Sequence, residues 1–291
     1  MALLARFLRF CCAGSAVVLL AGVALAAAPP PYVPRYEHVV VVVMENHSAD
    51  AVLGNPAAPW INALAAAGAN FTAAYGVTHP SQPNYLALFS GSTQGVTDDS
   101  CPVAFSGVAN LASQLLAAGR SFVGYSEDLP AVGYTGCSSA LYHRRHNPWV
   151  DFDTAPVAVN QPFSAFPADF SQLPDVAFVV PNLCHDMHDC SIASGDAWLA
   201  AHLDAYVNWA RGHASLFVLV WDEDDYSAQN RIPLIMAGAA VRTGSSVGRV
   251  DHYALLRTLE DMHGLTALGN AAAAAPILDV WNDRVFGDTF D

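Results

Sequence analysis

Residues 38–44 read HVVVVVM, and this unbroken run of β-branched side chains is the stretch that decides the fold. A strand with one face in water alternates apolar and polar residues, whereas every residue from 39 to 44 is apolar. Continuous runs of this kind are typical of strands buried on both faces, as in parallel sheets covered by helices. The segment therefore predicts a strand of such a sheet.

Further apolar runs along the chain resemble this strand, and helical patterns lie between them. The runs cover residues 121–126, 176–181, 216–221 and 232–238, and the helical patterns cover 59–69, 110–120, 195–213 and 251–265. Asp196 is the expected N-cap of the third helix, and Gly264 is the expected C-cap of the last. The alternation predicts an α/β fold, with a doubly wound, mostly parallel central sheet and helices on both faces.

The first 27 residues have the pattern of a secretory signal peptide. Arg6 and Arg9 precede an apolar run, and the small residues "ALA" precede an Ala/Pro stretch. We expect cleavage near residues 26–28, a Pro-rich linker over 28–36 and one folded domain over 37–291. The protein is then secreted or periplasmic and keeps no integral membrane span; an uncleaved membrane anchor is the alternative.

The charge of the chain is strongly one-sided. It carries 12 basic residues, all of them arginine, against 26 acidic residues, for a formal net charge of −14. Such a surface repels nucleic acid and anionic lipid headgroups at long range, so no nucleic-acid partner is expected. The composition favours a small substrate, or a local basic pocket within an acidic shell. The one clustered basic segment is RRH at 144–146, where Arg145 and His146 are candidates for contact with an anionic substrate.

Four cysteines follow the predicted signal peptide, and an even number in an exported chain suggests two disulfides. Three pairings of Cys101, Cys137, Cys184 and Cys190 are conceivable. Their order favours Cys101–Cys137 and Cys184–Cys190, since the second pair closes a short loop. A zinc site is the rival interpretation, but the spacings match no CxxC pattern.

Polar clusters follow three of the predicted strands. Glu45 and Asn46 come after the first strand, the run DEDD starts at Asp222 after the fourth, and NLCHDMHDC spans 182–190. In open α/β sheets the carboxyl ends of the strands carry the ligand site. Consecutive carboxylates repel each other unless a cation neutralises them, so these clusters predict a divalent metal site.

The segment VTHPSQPNYLALFSG, residues 77–91, places Ser81 between two prolines at the predicted start of a helix. Ser81 is either the N-cap of that helix or a nucleophile held where helix N–H groups and the helix dipole favour anions. A metal ion held by hard oxygen ligands would lower the pKa of the Ser81 hydroxyl and polarise a phosphoryl oxygen, while a histidine protonates the leaving group.

The ordered set VVVMENHS, THPSQPNYLALFSG, PNLCHDMHDC, VLVWDEDD, NRIPLIMAG and DHYALLRTLEDMHGL resembles the bacterial phosphoesterase family. That family comprises acid phosphatases and phospholipases C and belongs to the alkaline phosphatase superfamily. The match runs from about residue 37 to 270, and the short chain is most similar to the secreted acid phosphatases. The resemblance implies an alkaline phosphatase-like fold and a phosphoesterase catalytic domain over residues 37–291.

The resemblance also implies roles for individual residues. It makes Ser81 the nucleophile and Asn84 a contact of the phosphoryl group. The implied ligands of the metal are Glu45, Asn46, Ser81, Asp222 and Glu223. We expect one divalent ion, with Mg²⁺, Ca²⁺, Mn²⁺, Zn²⁺ and Fe all open as its identity, because the full ligand set of two-metal relatives is not matched.

The remaining site residues are predicted from their positions beside these motifs. His188 and His252 are expected to take over part of the electrostatic role of a second ion and to assist catalysis. The predicted contacts of the substrate are His79, Asn84, Arg145, His146 and Asp186.

Together these features predict an exported, metal-dependent acid phosphatase that cleaves phosphate monoesters through a phosphoserine. Its substrate is expected to be a small phosphorylated molecule, with a phospholipid headgroup as an option. A phospholipase C-like phosphodiesterase and a phosphoinositide phosphatase are the alternative activities, and an inactive metal-stabilised binding protein is the alternative without catalysis.

Overall fold

The computed structural model describes residues 32–282. The predicted signal peptide over residues 1–27 and the first part of the predicted linker lie outside the described residues. The bounds of the signal peptide and of the linker therefore stay predictions.

Twelve strands and six α-helices are found in this range. The strands are β1 (His38–Met44), β2 (Ala69–Phe71), β3 (Ala74–Tyr75), β4 (Phe122–Ser126), β5 (Ser138–Ser139), β6 (Tyr142–His143), β7 (Asn160–Pro162), β8 (Val176–Val180), β9 (Ser215–Trp221), β10 (Leu234–Gly238), β11 (Gly244–Ser246) and β12 (Val250–Asp251). The helices are α1 (Ala49–Val52), α2 (Pro59–Ala67), α3 (Ser81–Ser90), α4 (Leu111–Ala117), α5 (Ile192–Ala210) and α6 (His252–His263).

Eight strands form the central sheet in the order β11-β2-β10-β9-β1-β8-β4-β7. β1 pairs in parallel with β8 and β9, and β4 pairs in parallel with β8 and β7. β10 runs antiparallel to both of its neighbours, β9 and β2. The predicted α/β fold with a mostly parallel central sheet is therefore confirmed.

The centre of the sheet is buried on both faces. Residues 39–44 of β1 and all seven residues of β9 are buried. Because successive side chains of a strand point to opposite faces, this burial requires a covering layer on each side. The helices supply it in two groups, since α2 packs with α5 while α3 and α4 pack with α6.

The five predicted strands and four predicted helices are all present, but one helix cap was predicted wrongly. α5 begins at Ile192, and its N-cap is Ser191, whose side chain accepts from the N–H of Ser194. Asp196 lies inside α5 and instead accepts from the N–H groups of Trp60 and Ile61, at 3.2 and 2.8 Å. Its carboxylate thus caps α2, a neighbouring helix whose own N-cap position, Ala58, has no polar side chain.

The two favoured disulfides are confirmed. Cys101 bonds to Cys137 and Cys184 bonds to Cys190, with 36 and 6 residues of sequence separation. Since all four of these cysteines are in disulfides, the rival zinc interpretation is wrong. The short Cys184–Cys190 loop leaves the carboxyl end of β8, the rim where polar clusters were expected.

Within residues 32–282, no helix is both long enough and apolar enough to span a bilayer.

Candidate active site

Three buried carboxylates meet at the rim formed by the carboxyl ends of β1, β8 and β9. Glu45 directly follows β1, Asp222 directly follows β9, and Asp186 lies in the loop after β8. Glu45 and Asp186 are 0% exposed and Asp222 is 1% exposed. The N–H of Asn46 donates to Asp222 Oδ1 at 3.1 Å and links two of the strand ends. The structure thus brings the polar segments together at one rim.

Ser81 faces this cluster from the first position of α3. The N-cap of α3 is Pro80, and no side chain caps the helix, so the alternative of Ser81 as N-cap is wrong. The Ser81 hydroxyl instead donates to Glu45 Oε2 at 2.9 Å and lies 3.3 Å from Asn46 Oδ1. Ser81 is 2% exposed, so its hydroxyl is held in one direction by the helix and by a buried acceptor.

The N-terminus of α3 offers fewer free N–H groups than a helix end usually does. The N–H of Gln82 donates to Asp99 Oδ1 at 2.9 Å, and Pro83 has no N–H. We predicted from the sequence that the helix N–H groups of this end would stabilise an anion. Since one of these N–H groups is engaged by Asp99 and the other is absent, anion binding has to depend more on side chains.

Glu45 is held on its other side by two aromatic residues. Tyr85 donates its hydroxyl to Glu45 Oε1, and His146 Nε2 lies 3.4 Å from the same oxygen. The rings of Tyr85 and His146 are stacked, with centroids 5.2 Å apart. Tyr85 was not singled out from the sequence, where it belongs to an apolar run. Its spacing of four residues from Ser81 places both on one helix face and was the available signal.

Glu45, His146 and Asp186 form a group that can hold a metal ion. One ligand atom from each of the three lies within 4.8 Å of the others. Two buried carboxylate oxygens nearby, Asp186 Oδ2 and Asp222 Oδ2, accept no hydrogen bond. In the described part of the chain, no arginine forms an ion pair with any of these carboxylates. Oxygen-rich ligands without a counter-charge fit a divalent cation, so the site suits the metal that the sequence predicts.

The electrostatics of the cluster show the same lack of positive charge. Burial, followed by the charges of Asp222 and Asp186, raises the pKa of Glu45 well above its usual value. Burial also raises the pKa of Asp186, and it raises the pKa of Asp222 to about 7. Burial lowers the pKa of His146 well below its usual value, with Arg145 adding to the effect. His146 is therefore a neutral imidazole, the form that ligates metals.

Glu223 belongs to a second group, centred on His79. Glu223 Oε2 lies 3.1 Å from His79 Nδ1 and accepts from Asn84 Nδ2, also at 3.1 Å. Burial and the charge of Asp222 raise the pKa of Glu223 to about 9. Asn84 Oδ1 accepts from the N–H groups of Val77 and Thr78, so its amide is engaged in holding the loop before α3. The roles of Glu223 as a metal ligand and of Asn84 as a phosphoryl contact stay predictions.

His79 is placed at the border between the site and solvent. Its Nε2 lies 3.2 Å from Asp224 Oδ1, and its ring stacks on the exposed Tyr226, with centroids 3.9 Å apart. Burial lowers the pKa of His79. Asp224 is itself fully buried and accepts from the N–H groups of Tyr226 and Asn230. It organises the loop after β9 rather than lying exposed to solvent.

The two arginines of the basic segment 144–146 have different surroundings and different roles. Arg144 is buried and pairs with Asp151 at 2.9 Å, so it has a structural role. Arg145 points to the site, where its Nε lies 3.1 Å from His146 Nε2 and its Nη2 lies 3.3 Å from His188 Nε2. Among the described residues, no carboxylate lies within ion-pair distance of Arg145. Its charge is available for an anionic ligand.

Two histidines predicted to assist catalysis have different surroundings. His188 is partly exposed, and its Nδ1 lies 2.7 Å from Asp189 Oδ1, while its Nε2 faces Arg145. His252 is 1% exposed and begins α6, with Asp251 as N-cap as expected. Its Nε2 lies 2.6 Å from the backbone carbonyl of Asp222. His252 therefore contacts the cluster through the backbone that carries Asp222.

A serine hydroxyl beside a buried carboxylate cluster, on the rim of a mostly parallel sheet, combines a nucleophile with oxygen ligands for a metal ion, as a metal-dependent hydrolase requires. The model of the Phosphoesterase family matches residues 55–266. This chain belongs to that family, as the sequence motifs predicted, and it is a phosphoric ester hydrolase.

Relatives of known activity are phosphatases. A phosphatidylinositol-3-phosphatase of Mycobacterium tuberculosis is 52% identical over 252 residues, which cover 86% of this chain and 84% of that protein. An acid phosphatase of Aspergillus fumigatus is 30% identical over 239 residues, covering 75% of this chain. The match spans 53% of the Aspergillus protein, so this chain corresponds to about half of it.

Solved structures with a similar fold include a member of the alkaline phosphatase superfamily. A protein of that superfamily from Vibrio parahaemolyticus superposes with a TM-score of 0.61 at 14% identity, covering 84% of this chain and 71% of its own. The lipoteichoic acid synthase LtaP of Listeria monocytogenes also gives 0.61, at 11% identity, covering 90% of this chain and 80% of its own. At these identities the likeness concerns the fold alone.

The Cys184–Cys190 disulfide is predicted to matter more for activity than for stability. It closes the loop that carries Asp186 and His188, in which Asp186 Oδ1 accepts from the N–H of His188 at 2.8 Å. The Asp186 carbonyl also accepts from the N–H of Glu45 at 2.9 Å, so a loosened loop would disturb Glu45. We expect Cys184→Ser/Cys190→Ser to lower kcat/KM on a phosphate ester by about tenfold or more, since misplacement by ~1 Å can lower rates ~100-fold.

The Cys101→Ser/Cys137→Ser protein is the matched control. Loop-closure entropy predicts a loss of about 4 kcal/mol of unfolding free energy for its 36-residue separation and about 2 kcal/mol for the 6-residue separation of the other pair. Urea unfolding and steady-state kinetics on both proteins measure the two effects. A greater loss of activity in the Cys101/Cys137 control would contradict the assignment.

The carboxylate cluster predicts a stability that depends on metal and pH together. The folded pKa values of Asp222 and Glu223, about 7 and about 9, exceed those of unfolded chains. Groups with raised pKa stabilise the fold fully at low pH, and this contribution is lost as pH rises through the folded pKa. After chelation, Tm should therefore fall from about pH 5 to about pH 9, with Asp222 contributing below pH 7 and Glu223 up to pH 9. Divalent cation at ~100 times its Kd should raise Tm by roughly 5–10 °C, and by more at the higher pH.

Calorimetry across this pH range, with and without added cation, measures the effect. Asp222→Asn should reduce both the dependence of Tm on pH and the increase in Tm that the cation causes. Asp225→Asn is the control, because Asp225 is an exposed carboxylate of the same loop. A Tm that is indifferent to chelation at pH 9 would show that no cation stabilises the cluster.

Proposed function

We propose that this protein is an exported, metal-dependent phosphatase that hydrolyses phosphate monoesters through a phosphoserine at Ser81, with phosphatidylinositol phosphates as its substrate class. The observation that carries the proposal is the Ser81 hydroxyl, buried and 2.9 Å from a carboxylate oxygen of Glu45. Export is supported by the signal-like N-terminus and by the two disulfides, which persist in oxidising compartments.

One divalent cation is proposed at the carboxylate cluster. Glu45 is the common member of two candidate ligand sets, since its two oxygens face opposite sides. One set consists of Ser81, Asn46 and Asp222, with Glu223 beside them, and the other consists of His146 and Asp186. When bound there, a divalent ion supplies Lewis-acid stabilisation of charge on phosphoryl oxygens and on the serine oxygen.

The residues of the chain then have separate tasks in the reaction. Ser81 Oγ attacks phosphorus, forming a Ser81–phosphate bond while the bond from phosphorus to the leaving oxygen breaks. The proton of Ser81 has a direct acceptor in Glu45 Oε2. His188 is proposed to protonate the leaving oxygen in its imidazolium form, with Nδ1–H held by Asp189; in that form Nε2–H gives up its contact with Arg145 and donates to the leaving oxygen. Water then cleaves the phosphoserine, which releases phosphate and restores the hydroxyl.

Arg145 supports the preference for monoesters. A phosphate monoester is close to a dianion near neutral pH, whereas a diester carries one negative charge. Arg145 is held by two histidines and no carboxylate among the described residues, so its guanidinium can bind two phosphoryl oxygens at once. The substrate class is inferred from the 52% identity to the mycobacterial phosphatidylinositol-3-phosphatase.

Replacement of the nucleophile tests the covalent route. Ser81→Ala should leave a folded protein whose kcat is reduced by several orders of magnitude, since one oriented nucleophile is removed from a preformed site. Rapid quench of the wild type with ³²P-labelled monoester should trap phosphate on the peptide that contains Ser81. Ser90→Ala is a matched control, because Ser90 is a buried serine at the other end of α3. Near-normal turnover by a folded Ser81→Ala protein would refute the proposal.

Paired substrates test the preference for monoesters. We expect kcat/KM for p-nitrophenyl phosphate to exceed that for bis-p-nitrophenyl phosphate by at least about tenfold, given that charge-assisted bonds contribute ~1.5–3 kcal/mol each. Arg145→Ala should reduce this ratio by lowering the monoester value more. If the diester or phosphatidylcholine has the higher kcat/KM, a phospholipase C-like activity replaces the proposed one.

A further inference from the structure

A cavity of about 400 Å³ lies beside the edge strand β7. Its walls come from the loop after β4, with Gly133 and Tyr134, and from the segment 149–157, with Trp149, Phe152 and Val157. This size is within the range of sites that enclose small organic ligands, roughly 300–1,000 Å³. None of the residues assigned to catalysis lines the cavity, so its function is separate from the chemistry.

The surface of the cavity is mainly apolar because its polar side chains bond to one another. Trp149 Nε1 donates to Asn160 Oδ1 at 2.8 Å, and Asp153 accepts from Ser106 and the N–H of Gly107. Asp151 is paired with Arg144, although its Oδ2 accepts no hydrogen bond. Aromatic rings and aliphatic side chains make up the rest of the walls, which suit an uncharged, apolar ligand.

The mouth of the cavity carries exposed apolar side chains. Val157, which lines the cavity, is 66% exposed, and Val132, which precedes the lining residue Gly133 in the sequence, is 55% exposed. A Cβ placed on Gly133 would lie 3.4 Å from Val157 Cβ, so the loop after β4 and Val157 meet at this point. Exposed valines that adjoin an apolar cavity are a surface on which an apolar ligand can enter from solvent.

A continuous set of contacts links the cavity to the catalytic centre. Tyr134 of the cavity wall packs on Tyr142 of the β5–β6 hairpin, with centroids 5.8 Å apart. In the same hairpin, Leu141 is 39% exposed, and its carbonyl accepts from the N–H of Leu183 in the loop that carries Asp186. The hairpin thus lies between the two sites and presents an apolar side chain to solvent.

The strands beside the two sites, β1 and β7, are separated by about the length of a lipid headgroup. β7 is three strand positions from β1, which corresponds to about 14 Å at ~4.8 Å per strand. In a phosphatidylinositol phosphate, the inositol ring and the glycerol backbone separate the phosphate monoester from the acyl chains by a similar span. A headgroup at Ser81 can therefore extend along the hairpin towards the cavity.

We propose, building on the phosphoinositide phosphatase activity proposed above, that this cavity binds an acyl chain of the lipid whose phosphorylated headgroup occupies the active site. The acidic surface favours this mode of binding. With a net charge of −14 and no lysine, the chain has no long-range attraction to anionic lipid surfaces, so apolar contacts have to add to the binding of the headgroup by Arg145 and the proposed cation.

Chain-length dependence tests the acyl site directly. Dibutanoyl and dioctanoyl phosphatidylinositol 3-phosphate are compared as monomers, with p-nitrophenyl phosphate as a substrate that lacks acyl chains. Each buried methylene strengthens binding by about fourfold at most, so the longer lipid should have a kcat/KM at least about tenfold higher. Val157→Asp should abolish this difference while leaving turnover of p-nitrophenyl phosphate unchanged.

Val247→Asp is the matched control. Val247 is also a valine with an exposed side chain, 79% exposed, and it follows β11 at the opposite edge of the sheet. This variant should keep the preference for the longer lipid. The acyl site is overturned if the wild type does not prefer the longer lipid, or if Val157→Asp keeps that preference. In either case, normal turnover of p-nitrophenyl phosphate would leave the proposed phosphatase activity standing.

Binding without turnover separates the two proposals. Calorimetric titration of folded Ser81→Ala protein with the two lipids should give the same chain-length ratio in Kd, and adding Val157→Asp should remove it. Equal Kd values for both lipids would refute the acyl site whatever the kinetics show. Sedimentation analysis tests whether a second copy of the chain occupies this face instead of a lipid. A wild-type dimer that Val157→Asp dissociates would assign the face to the second copy and overturn the acyl site.

Discussion

The burial of Glu45 is the constraint on which the rest of the site depends. β1 carries it to a rim where Asp186 and Asp222 are equally buried, so three carboxylates share a region without a paired arginine among the described residues. Such a cluster is unfavourable unless protons or a cation neutralise it. The hydroxyls of Ser81 and Tyr85 partly stabilise the buried Glu45 carboxylate by donating hydrogen bonds to it, and both residues lie on one face of α3. The same need for positive charge that makes the cluster unfavourable makes it a candidate metal site.

How far the sequence predicts this structure depends on the length of each element and on the range of each contact. The long apolar runs of β1 and β9 are buried on both faces and are recognisable as such, as is the rim of polar residues that follows them. β2, β7 and β11 have three residues each, too few to show a period, and β7 ends in Pro162, which suits an edge strand. The hydrophobic pattern does not predict the direction of a strand either, because the antiparallel pairing of β10 depends on where the chain re-enters the sheet.

The sequence indicated which residues come together in the site, but it did not indicate which of them contact one another there. His146 and Asp186 were expected to contact substrate, and the structure places them with Glu45 as a group that can ligate a cation. Glu223, which was expected among the metal ligands, lies 3.1 Å from both His79 and Asn84, and its role as a ligand stays a prediction. These distinctions arise from contacts between residues that are 40 to 144 positions apart in the sequence, from His146–Asp186 to His79–Glu223. No local spacing encodes them, whereas the four-residue spacing of Ser81 and Tyr85 on α3 does encode their common face.

Charge of both signs coexists in the site because neutral groups separate it. An arginine paired directly with Glu45 or Asp186 would satisfy the carboxylates and leave little charge for a ligand. Arg144 does form such a pair, with Asp151, and its role is structural. Arg145, the next residue, is held by His146 and His188. The pKa of His146 is lowered by burial and by Arg145 itself, so this imidazole stays uncharged between the guanidinium and Glu45. A neutral histidine therefore keeps the arginine charge available for phosphate and the carboxylate charge available for a cation, within a single pocket.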